Sequence, residues 1–390
     1  MLIINAGSSS IKFAFYSGDC EPILEGIMED IGTRNSRFRV QGTQVPGFER
    51  LTTESGAFEQ AIDFFVDWLE KQECFADVSV AGHRLVFGMK HRNAELITPD
   101  LISQLKALAL FDPEHLPVEL KLIEALKARY KQLEQVACFD TAFHQTMPPV
   151  ATRLSIPLEH VHPGLQRYGF HGLSYAFLVE ELRRLNKDEI SRGKLILAHL
   201  GNGASLAAVK DGECIDTTMG FTPSSGIVMG TRSGDIDPGI PWYLMRFGKM
   251  SPDEYYHIIN HKSGLLGISG STGDMRELIE KKTTDPRAAA AVDMFCYQAK
   301  KYIGSYAAAL EGLDTLVFSG GIGEHSPEVR SQVCDGLGFL GIELDEVRNM
   351  NNDPVISSPA SRVVVRVIAT NEQLMIARLV SKIMNAPSKN

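Results

Sequence analysis

The sequence predicts an α/β protein built from two similar halves. Its first strand, turn and strand, residues 2–20, have a counterpart half a chain later at residues 196–214. The turn of the first copy is Asn-Ala-Gly-Ser-Ser-Ser at 5–10, and that of the second is His-Leu-Gly-Asn-Gly-Ala at 199–204. Because small residues leave backbone N–H groups open to a ligand, both turns are expected to bind phosphate.

A second pair of segments supports the duplication. Residues 136–141 and 316–321 are short apolar runs that end in small or polar residues. Open α/β sheets bind their ligands at such strand ends. Each half thus offers two loops for binding phosphate. Two such halves predict a nucleotide held in a cleft between duplicated domains.

Helical and extended patterns alternate along the first half. Residues 78–81 predict a buried strand that leads into Gly82, His83 and Arg84. Pro117 opens an amphipathic segment that feeds the strand at 136–141. An earlier helix is predicted from apolar residues at helical spacing: Ala57, Phe58, Ala61, Ile62, Phe65, Trp68 and Leu69.

Two helix starts stand out in the second half. Asp285 and Pro286 predict an N-cap and first residue for a long helix that ends near residue 310. Thr370 with Gln373 predicts a capping box for the final helix, which ends near residue 380.

Composition indicates a soluble enzyme. The chain has 390 residues, 44% hydrophobic and 22% charged, which is enough for two domains. It has no apolar run of membrane-spanning length and no targeting segment at its N-terminus, so a cytoplasmic location without membrane partners is expected. The six cysteines are scattered without a Cys-x-x-Cys pair, which indicates neither zinc nor a disulfide framework.

The charge balance constrains the partners. A net charge of -9 argues against nucleic acid. An anionic substrate must therefore be held by local cations, and the candidates in glycine-rich or strand-end contexts are Lys12, Arg84 and Arg232.

Several motifs resemble those of the acetate kinase family, in family order from residue 2 to about 378. They lie at 5–12, 139–148, 168–172, 199–205, 229–235, 320–324 and 370–372. The resemblance implies the duplicated actin/hexokinase/Hsp70-like (ribonuclease H-like) fold and a homodimer. It also implies reversible phosphoryl transfer from ATP to acetate, giving acetyl phosphate and ADP, with Mg²⁺ or alternatively Mn²⁺.

The same resemblance implies domain limits. The first domain is expected to span 1–147 and 373–390. The second domain, which would bind the nucleotide and form the dimer, is expected to span 148–372.

The resemblance also implies a role for individual residues. Catalysis is assigned to Asp140, His171 and Arg232. The metal is assigned to Asn5 and Glu372. Substrate binding is assigned to Arg84, Val86, Leu110, Phe170 and Pro223. Nucleotide binding is assigned to Lys12, His199, Leu200, Gly201, Asn202, Gly203, Asp274, Met275, Arg276, Gly321, Ile322, Gly323, Glu324 and His325.

Asp140 is the family's catalytic acid, but the chemistry favours an ordering role. The nucleophile is a carboxylate that is already ionised at neutral pH, so no general base is needed to remove its proton. A place beside Mg²⁺ and Arg232 is the hypothesis for Asp140. His83 and His144 are expected to be structural.

Departures from the family pattern leave the substrates open. Phe87 and Phe111 replace histidines, and His325 replaces an asparagine. Four further departures lie at Leu173, Tyr175, Ser224 and Ser225. Together they suggest a less polar wall around the acyl pocket, so propionate or another short carboxylate is an alternative substrate, and pyrophosphate is an alternative donor.

Other function classes share parts of the pattern. A sugar kinase of the same fold would share the phosphate loops, and a butyrate kinase would share the first loop. An Hsp70-type clamp would need a peptide-binding domain, but only 18 residues follow Glu372. A non-catalytic sensor is disfavoured because the implied site residues are all present.

Overall fold

The computed structural model describes residues 1–7, 10–31, 33, 36–42, 46–49, 58–186 and 193–386. The chain divides into two compact units, which are Met1–Ala142 with Asn371–Asn390 (unit 1) and Phe143–Thr370 (unit 2). The expected domain limits, after residues 147 and 372, lie a few residues later in the chain than the observed limits, after Ala142 and Thr370. Ser8, Ser9 and Ala57, which belong to predicted segments, lie outside the described residues, as do 387–390.

Unit 1 contains an eight-stranded mixed sheet with the order β5-β4-β3-β2-β1-β6-β8-β7. The pairs β1–β2, β2–β3, β3–β4 and β4–β5 are antiparallel, whereas β1–β6 and β6–β8 are parallel. The strands are β1 (Leu2–Ala6), β2 (Ile11–Tyr16), β3 (Pro22–Glu29), β4 (Arg37–Gly42), β5 (Pro46–Glu49), β6 (Val80–Leu85), β7 (Glu95–Leu96) and β8 (Glu134–Phe139).

Among its described residues, unit 1 has the α-helices α1 (Phe58–Leu69), α2 (Pro99–Leu108), α3 (Leu116–Arg129) and, from the end of the chain, α14 (Glu372–Met384). An aromatic core of Phe13, Phe38, Phe65 and Trp68 joins α1 to the sheet, with ring centroids 5.0 to 5.7 Å apart. On β6, Gly82 lies against the side chains of α14, which holds the start of that helix near the strand ends.

Unit 2 contains a five-stranded sheet with the order β11-β10-β9-β12-β13. The strands are β9 (Lys194–Leu200), β10 (Ala204–Lys210), β11 (Glu213–Thr217), β12 (Thr315–Ser319) and β13 (Val364–Val367). Its helices are α4 (Pro149–Thr152), α5 (Gly172–Asn186), α6 (Gly239–Arg246), α7 (Pro252–His261), α8 (Gly264–Ser269), α9 (Met275–Lys281), α10 (Pro286–Ala309), α11 (Gly320–His325), α12 (Pro327–Cys334) and α13 (Glu346–Met350). Within the described ranges, no helix has the length and apolar character needed to cross a membrane.

The two sheets confirm the predicted duplication. Strands β3-β2-β1-β6-β8 of unit 1 and β11-β10-β9-β12-β13 of unit 2 have the same order and the same directions. The repeated segments 2–20 and 196–214 are the matching hairpins β1–β2 and β9–β10. The α/β prediction is therefore confirmed.

The second predicted pair of repeated segments, 136–141 and 316–321, is wrong, because the two segments belong to strands that are not equivalent in the repeat. Residues 136–141 contain β8, the fifth strand of the repeat, whereas 316–321 contain β12, the fourth. The true counterparts are β6 with β12 and β8 with β13. Buried parallel strands are all short apolar runs, so their composition does not distinguish one from the next.

Most predicted helices are confirmed. Helices α1 and α3 lie where the apolar spacing put them, and α10 begins at Pro286 with the Asp285 side chain accepting from Arg287 N. The capping box at Thr370 is wrong, because Asn371 caps α14 by accepting from Leu374 N at 2.8 Å. The Thr370 hydroxyl instead bonds to Ser174 Oγ at 2.8 Å.

Candidate active site

Three parallel strands of unit 1 bring polar side chains to one edge of the sheet. Asn5 lies near the end of β1, Arg84 near the end of β6, and Asp140 directly after β8. Arg84 donates from Nε and Nη2 to Asp140 Oδ2 at 3.0 and 2.6 Å, and from Nη1 to Asn5 Oδ1 at 3.1 Å. The structure thus places Asp140 in an ion pair with Arg84, and the guanidinium organises this edge.

The environment of this pair is largely closed to solvent. The Asp140 side chain is fully buried and that of Arg84 is 16% exposed. Burial by itself would lower the pKa of the Arg84 guanidinium, but the carboxylates of Asp140 and Glu372 outweigh that effect and raise the pKa. Arg84 is therefore a fixed positive charge, and the described contacts use three of its five N–H groups. The other two form no hydrogen bond with the described residues.

The two predicted metal residues lie together. Asn5 Nδ2 donates to Glu372 Oε2 at 2.9 Å, and Glu372 is the first residue of α14. Magnesium in phosphoryl-transfer sites is commonly held by one or two protein oxygens together with substrate phosphates. The described residues contain no cluster of three or more acidic, histidine or cysteine ligands. A single carboxylate beside an amide fits an ion whose remaining ligands are phosphate and water oxygens.

Lys12 lies on β2 directly opposite Asn5 in the strand register. Its side chain is exposed and lines a cavity of about 410 Å³, together with Arg39, Gln41 and Gln373. The cation is thus at the open surface of unit 1.

The predicted acyl-pocket residues of unit 1 differ in exposure. Val86 is buried and its N–H donates to the carboxyl oxygens of Glu119, whereas Leu110 is 89% exposed. Burial and the nearby Asp112 raise the pKa of Glu119 well above its ordinary value. Phe87 is also buried, with its ring 6.4 Å from that of Phe111.

In unit 2, His171 is held in an uncommon backbone conformation. It has φ +59°, in the left-handed region, which costs a non-glycine residue about 1–3 kcal/mol.

His144 lies beside this segment. Burial lowers the pKa of His144 to about 4, so its imidazole is neutral. Its Nε2 is 2.8 Å from the carbonyl oxygen of Phe170, which helps to hold the strained segment. His144 thus has the structural role expected for it.

The turn after β9 brings His171 and Arg232 to one point. A β-carbon added to Gly203 would lie 3.3 Å from His171 Nε2 and 3.7 Å from Arg232 Nη1. Arg232 Nη1 also donates to the carbonyl of Pro223 at 3.3 Å, so this predicted substrate residue lies beside it. A cation and an imidazole face the same small space, which remains open because residue 203 has no side chain.

The same turn borders a cavity of about 610 Å³ in unit 2. Eight of the predicted nucleotide residues line it: Gly201, Asn202, Asp274, Met275, Arg276, Gly321, Ile322 and His325. Five further lining residues were not predicted: Gly273, Ile279, Glu280, Ser326 and Glu328. Ile279 and Glu280 follow Met275 and Arg276 by one helical turn on α9, so helical spacing could have identified them.

The other predicted nucleotide residues of unit 2 support the cavity from outside its lining. His199 stacks on His171 with ring centroids 4.3 Å apart. Leu200 and Gly323 are buried. Glu324 accepts from the N–H groups of Gly320 and Thr370 at 2.8 and 3.1 Å, which fixes the start of α11.

Arg330 was not predicted, although it positions α11. It is fully buried, and donates to the carbonyls of Gly323, Glu324 and Asn349 and to the side chains of Asn349 and Asn352 at 2.6 to 3.0 Å. Burial lowers the pKa of its guanidinium to about 10. No local sequence signal marks this residue, because its partners lie up to 22 positions away.

Comparison with known proteins identifies the family. Residues 1–378 match the model of the Acetokinase family. The chain belongs to the acetokinase family. The resemblance predicted from its motifs is confirmed.

Individual relatives in the acetokinase family match nearly the whole chain. An acetate kinase of Rhodopseudomonas palustris (strain TIE-1) is 40% identical over 386 residues, covering 97% of this chain and 96% of the relative. A propionate kinase structure from Francisella tularensis has a TM-score of 0.91 and 37% identity, covering 97% and 98% of the two chains. An acetate kinase structure from Porphyromonas gingivalis has a TM-score of 0.86 and 35% identity, covering 98% and 99%. These likenesses confirm the predicted fold class.

The departures from the acetokinase pattern do not all reduce polarity. Tyr175 is fully buried, but its hydroxyl lies 2.5 Å from Ser205 Oγ. The Ser224 hydroxyl donates to Asn260. Leu173 is a buried apolar residue. Tyr175 and Ser224 thus each carry a hydroxyl group that forms a hydrogen bond within unit 2.

The Arg84–Asp140 pair predicts a large stability effect. Asp140→Ala would leave the Arg84 charge buried without its carboxylate, and should lower the free energy of unfolding by about 3 kcal/mol or more. Urea unfolding monitored by fluorescence and circular dichroism measures this. Glu124→Ala, which removes one partner of the exposed Lys106–Glu124 pair, is the matched control and should unfold close to the parent. Equal unfolding midpoints for the parent and Asp140→Ala would contradict the assigned role of the pair.

Proposed function

We propose that this protein is an acetate kinase, which transfers the γ-phosphoryl group of ATP to acetate reversibly and gives acetyl phosphate and ADP. The observation that carries the proposal is the turn at 201–203. One side of it borders a nucleotide-sized cavity, and the other faces His171 and Arg232. Membership of the acetokinase family supports the same reaction.

The site residues suit a reaction that depends on alignment and charge stabilisation. Phosphoryl transfer spreads negative charge over the equatorial oxygens, which positive and hydrogen-bond donor groups stabilise. Arg232 and His171 supply a guanidinium and an imidazole at one point. Arg84 binds the acetate carboxylate through its two other N–H groups.

Asp140 acts through Arg84 in this proposal. Acetate is ionised at neutral pH and needs no base. The buried Asp140 carboxylate holds Nε and Nη2 of Arg84, which leaves the guanidinium in one orientation. Asp140 is thus a positioning residue, which replaces the earlier hypothesis of a place beside Mg²⁺ and Arg232.

Magnesium is the proposed metal cofactor, with Mn²⁺ as an alternative. Asn5 and Glu372 would hold it, directly or through water, and Lys12 would contact the nucleotide phosphates. When bound, the ion neutralises phosphate charge. Glu372 would contribute the carboxylate oxygen, and the hydrogen bond from Asn5 Nδ2 orients that carboxylate.

The cavity of unit 2 favours a nucleotide over pyrophosphate as the donor. Its volume is within the usual range of small-molecule pockets, and Met275, Ile279 and Ile322 supply apolar surface for a base. Pyrophosphate has no group that would use this surface.

Acetate is the proposed acyl substrate, and propionate is the second candidate. The similarity of the chain to a propionate kinase structure supports propionate as the second candidate. One additional methylene changes binding in an apolar pocket by only about 1–3 kcal/mol. Both acids are therefore expected to react.

A homodimer formed through unit 2 is part of the proposal. Helix α6 and the residue after it expose three aromatic side chains, Trp242, Tyr243 and Phe247, which are 56–62% exposed. The rings of Trp242 and Tyr243 each lie 5.5 Å from that of Phe247. A contiguous aromatic patch of this kind is typical of a protein interface. A cytoplasmic location is also proposed, and is supported by the six free thiols.

The activity is tested by initial rates of ADP formation with Mg-ATP and acetate, propionate or butyrate, and by acyl phosphate formation with pyrophosphate as donor. We expect saturable turnover with acetate and propionate, little with butyrate, and none with pyrophosphate. Chelation of the divalent ion should abolish turnover, and added Mg²⁺ should restore it.

Arg232→Gln is the matched variant for this assay, because it removes the charge at Gly203 while it leaves the lining of the nucleotide cavity intact. Its kcat should fall by about 10²- to 10³-fold with little change in ADP affinity. Absence of turnover by the parent with every short carboxylate, despite nucleotide binding, would overturn the proposed activity.

The dimer is tested by sedimentation equilibrium of the parent and of Trp242→Glu with Phe247→Glu. The parent should sediment at twice the 42.9 kDa chain mass, and the double variant should shift toward the monomer because two buried charges would oppose association. As a control, Leu158→Glu changes another exposed apolar residue of unit 2 and should remain dimeric. A monomeric parent, or a variant that stays fully dimeric, would contradict the assigned interface.

A further inference from the structure

Two hydroxyl groups connect His171 to the interior of unit 2. His171 Nδ1 lies 2.9 Å from Ser205 Oγ, and the Tyr175 hydroxyl lies 2.5 Å from the same oxygen. We infer that Tyr175 and Ser205 form an ordered hydrogen-bond relay that selects, in the neutral form of His171, the tautomer with its proton on Nε2, the nitrogen nearest Gly203. The inference rests on the proposed function, because it assigns Nε2–H as a donor to the transferring phosphoryl group.

The backbone holds the relay in place. Ser205 is the second residue of β10, directly after the 201–203 turn, and is fully buried. Tyr175 lies in the first turn of α5, and its N–H donates to the His171 carbonyl at 3.1 Å. A hydroxyl, a phenol and an imidazole are thus fixed on two elements that meet at the candidate site.

Acidity and basicity set the direction of the relay. A phenol is the more acidic of the two hydroxyl groups, so it is the better donor, and an imidazole nitrogen is the best acceptor of the three groups. The favoured order is therefore Tyr175 O–H to Ser205 Oγ and Ser205 O–H to His171 Nδ1. A neutral imidazole that accepts at Nδ1 carries its proton on Nε2.

This tautomer matches the position of the ring. Nε2 lies 3.3 Å from the site of a β-carbon at Gly203, where Arg232 Nη1 also approaches. A proton on Nε2 makes the imidazole a hydrogen-bond donor at that point, whereas a proton on Nδ1 would present a lone pair to anionic oxygens. The relay therefore determines whether the imidazole attracts or repels a phosphoryl oxygen.

Tyr175 is one of the departures from the acetate kinase pattern, in which the resemblance implies a histidine at this position. An imidazole can donate or accept through either nitrogen, depending on its tautomer, whereas a phenol beside a hydroxyl favours donation. The replacement therefore favours one direction of the relay.

The first test is the ¹⁵N spectrum of the histidine side chains at mildly alkaline pH, where imidazoles are neutral, with His171 assigned by comparison with His171→Gln. The parent should show His171 protonated on Nε2 and unprotonated on Nδ1. Ser205→Ala should shift this pattern toward a mixture of tautomers, and Ser205→Thr should restore it. This readout requires no turnover, so it tests the relay even if the proposed activity fails.

The second test is steady-state kinetics of the same variants with Mg-ATP and acetate. Ser205→Ala should lower kcat by about 10- to 100-fold, with a change in KM of less than threefold, and Ser205→Thr should recover most of the loss. Tyr175→Phe should show a smaller decrease. Tyr130→Phe removes a phenol from unit 1 that bonds to Glu70, and should match the parent.

Three results would overturn the relay. One is a parent spectrum with His171 protonated on Nδ1. Another is a Ser205→Ala protein with parental kcat. The third is a Ser205→Ala protein that loses activity while its His171 tautomer is unchanged, because the serine would then have only a structural role. If Ser205→Ala does not fold, the spectrum of Tyr175→Phe decides, and an unchanged tautomer would count against the relay.

Discussion

Parallel pairing of the central strands is the constraint on which the site depends. In each sheet, three neighbouring strands run in the same direction, so their carboxyl ends meet at one edge. In unit 1 this edge carries Asn5, Arg84 and Asp140. In unit 2 it brings the end of β9 beside the end of β12, with Ser319 paired to His199. In unit 2 the β9–β10 hairpin adds the turn at 201–203 to this edge.

The charged groups at the two sheet edges are compensated in different ways. Unit 1 buries a carboxylate, and the guanidinium of Arg84 compensates its charge. A buried pair of this kind is costly to break, so it keeps both side chains in one geometry. Unit 2 instead places an imidazole and one cation beside Gly203, a position without a side chain. Its fully buried arginine, Arg330, is compensated by carbonyl and amide oxygens, and stabilises the helix that borders the nucleotide cavity.

Features encoded within a few residues were predictable from the sequence. The hairpin repeat, the Asp285–Pro286 helix start and the strand end at Asp140 depend on local patterns, and the structure has them in those places. The capping of α14 was not predictable, because Thr370, Asn371 and Gln373 offer several capping combinations and tertiary contacts select Asn371. The partners of β8 and β12 were mistaken because buried strands share one composition. The contacts of Tyr175 with Ser205 and of Arg330 with Asn352 join residues 30 and 22 positions apart, so only the fold reveals them.

The central claim is that His171 and Arg232 can act on one phosphoryl group because Gly203 has no side chain between them. The most direct test compares Gly203→Ala with Gly304→Ala, a change on α10 where a β-carbon meets no atom within 4 Å. The measurements are kcat with acetate and ADP affinity by calorimetry. The account predicts that Gly203→Ala lowers kcat by about 10²-fold, because the methyl group crowds His171 Nε2 at 3.3 Å and occupies the reaction space, while ADP affinity stays near the parent. Gly304→Ala should retain both values. A Gly203→Ala enzyme with parental kcat would contradict the account.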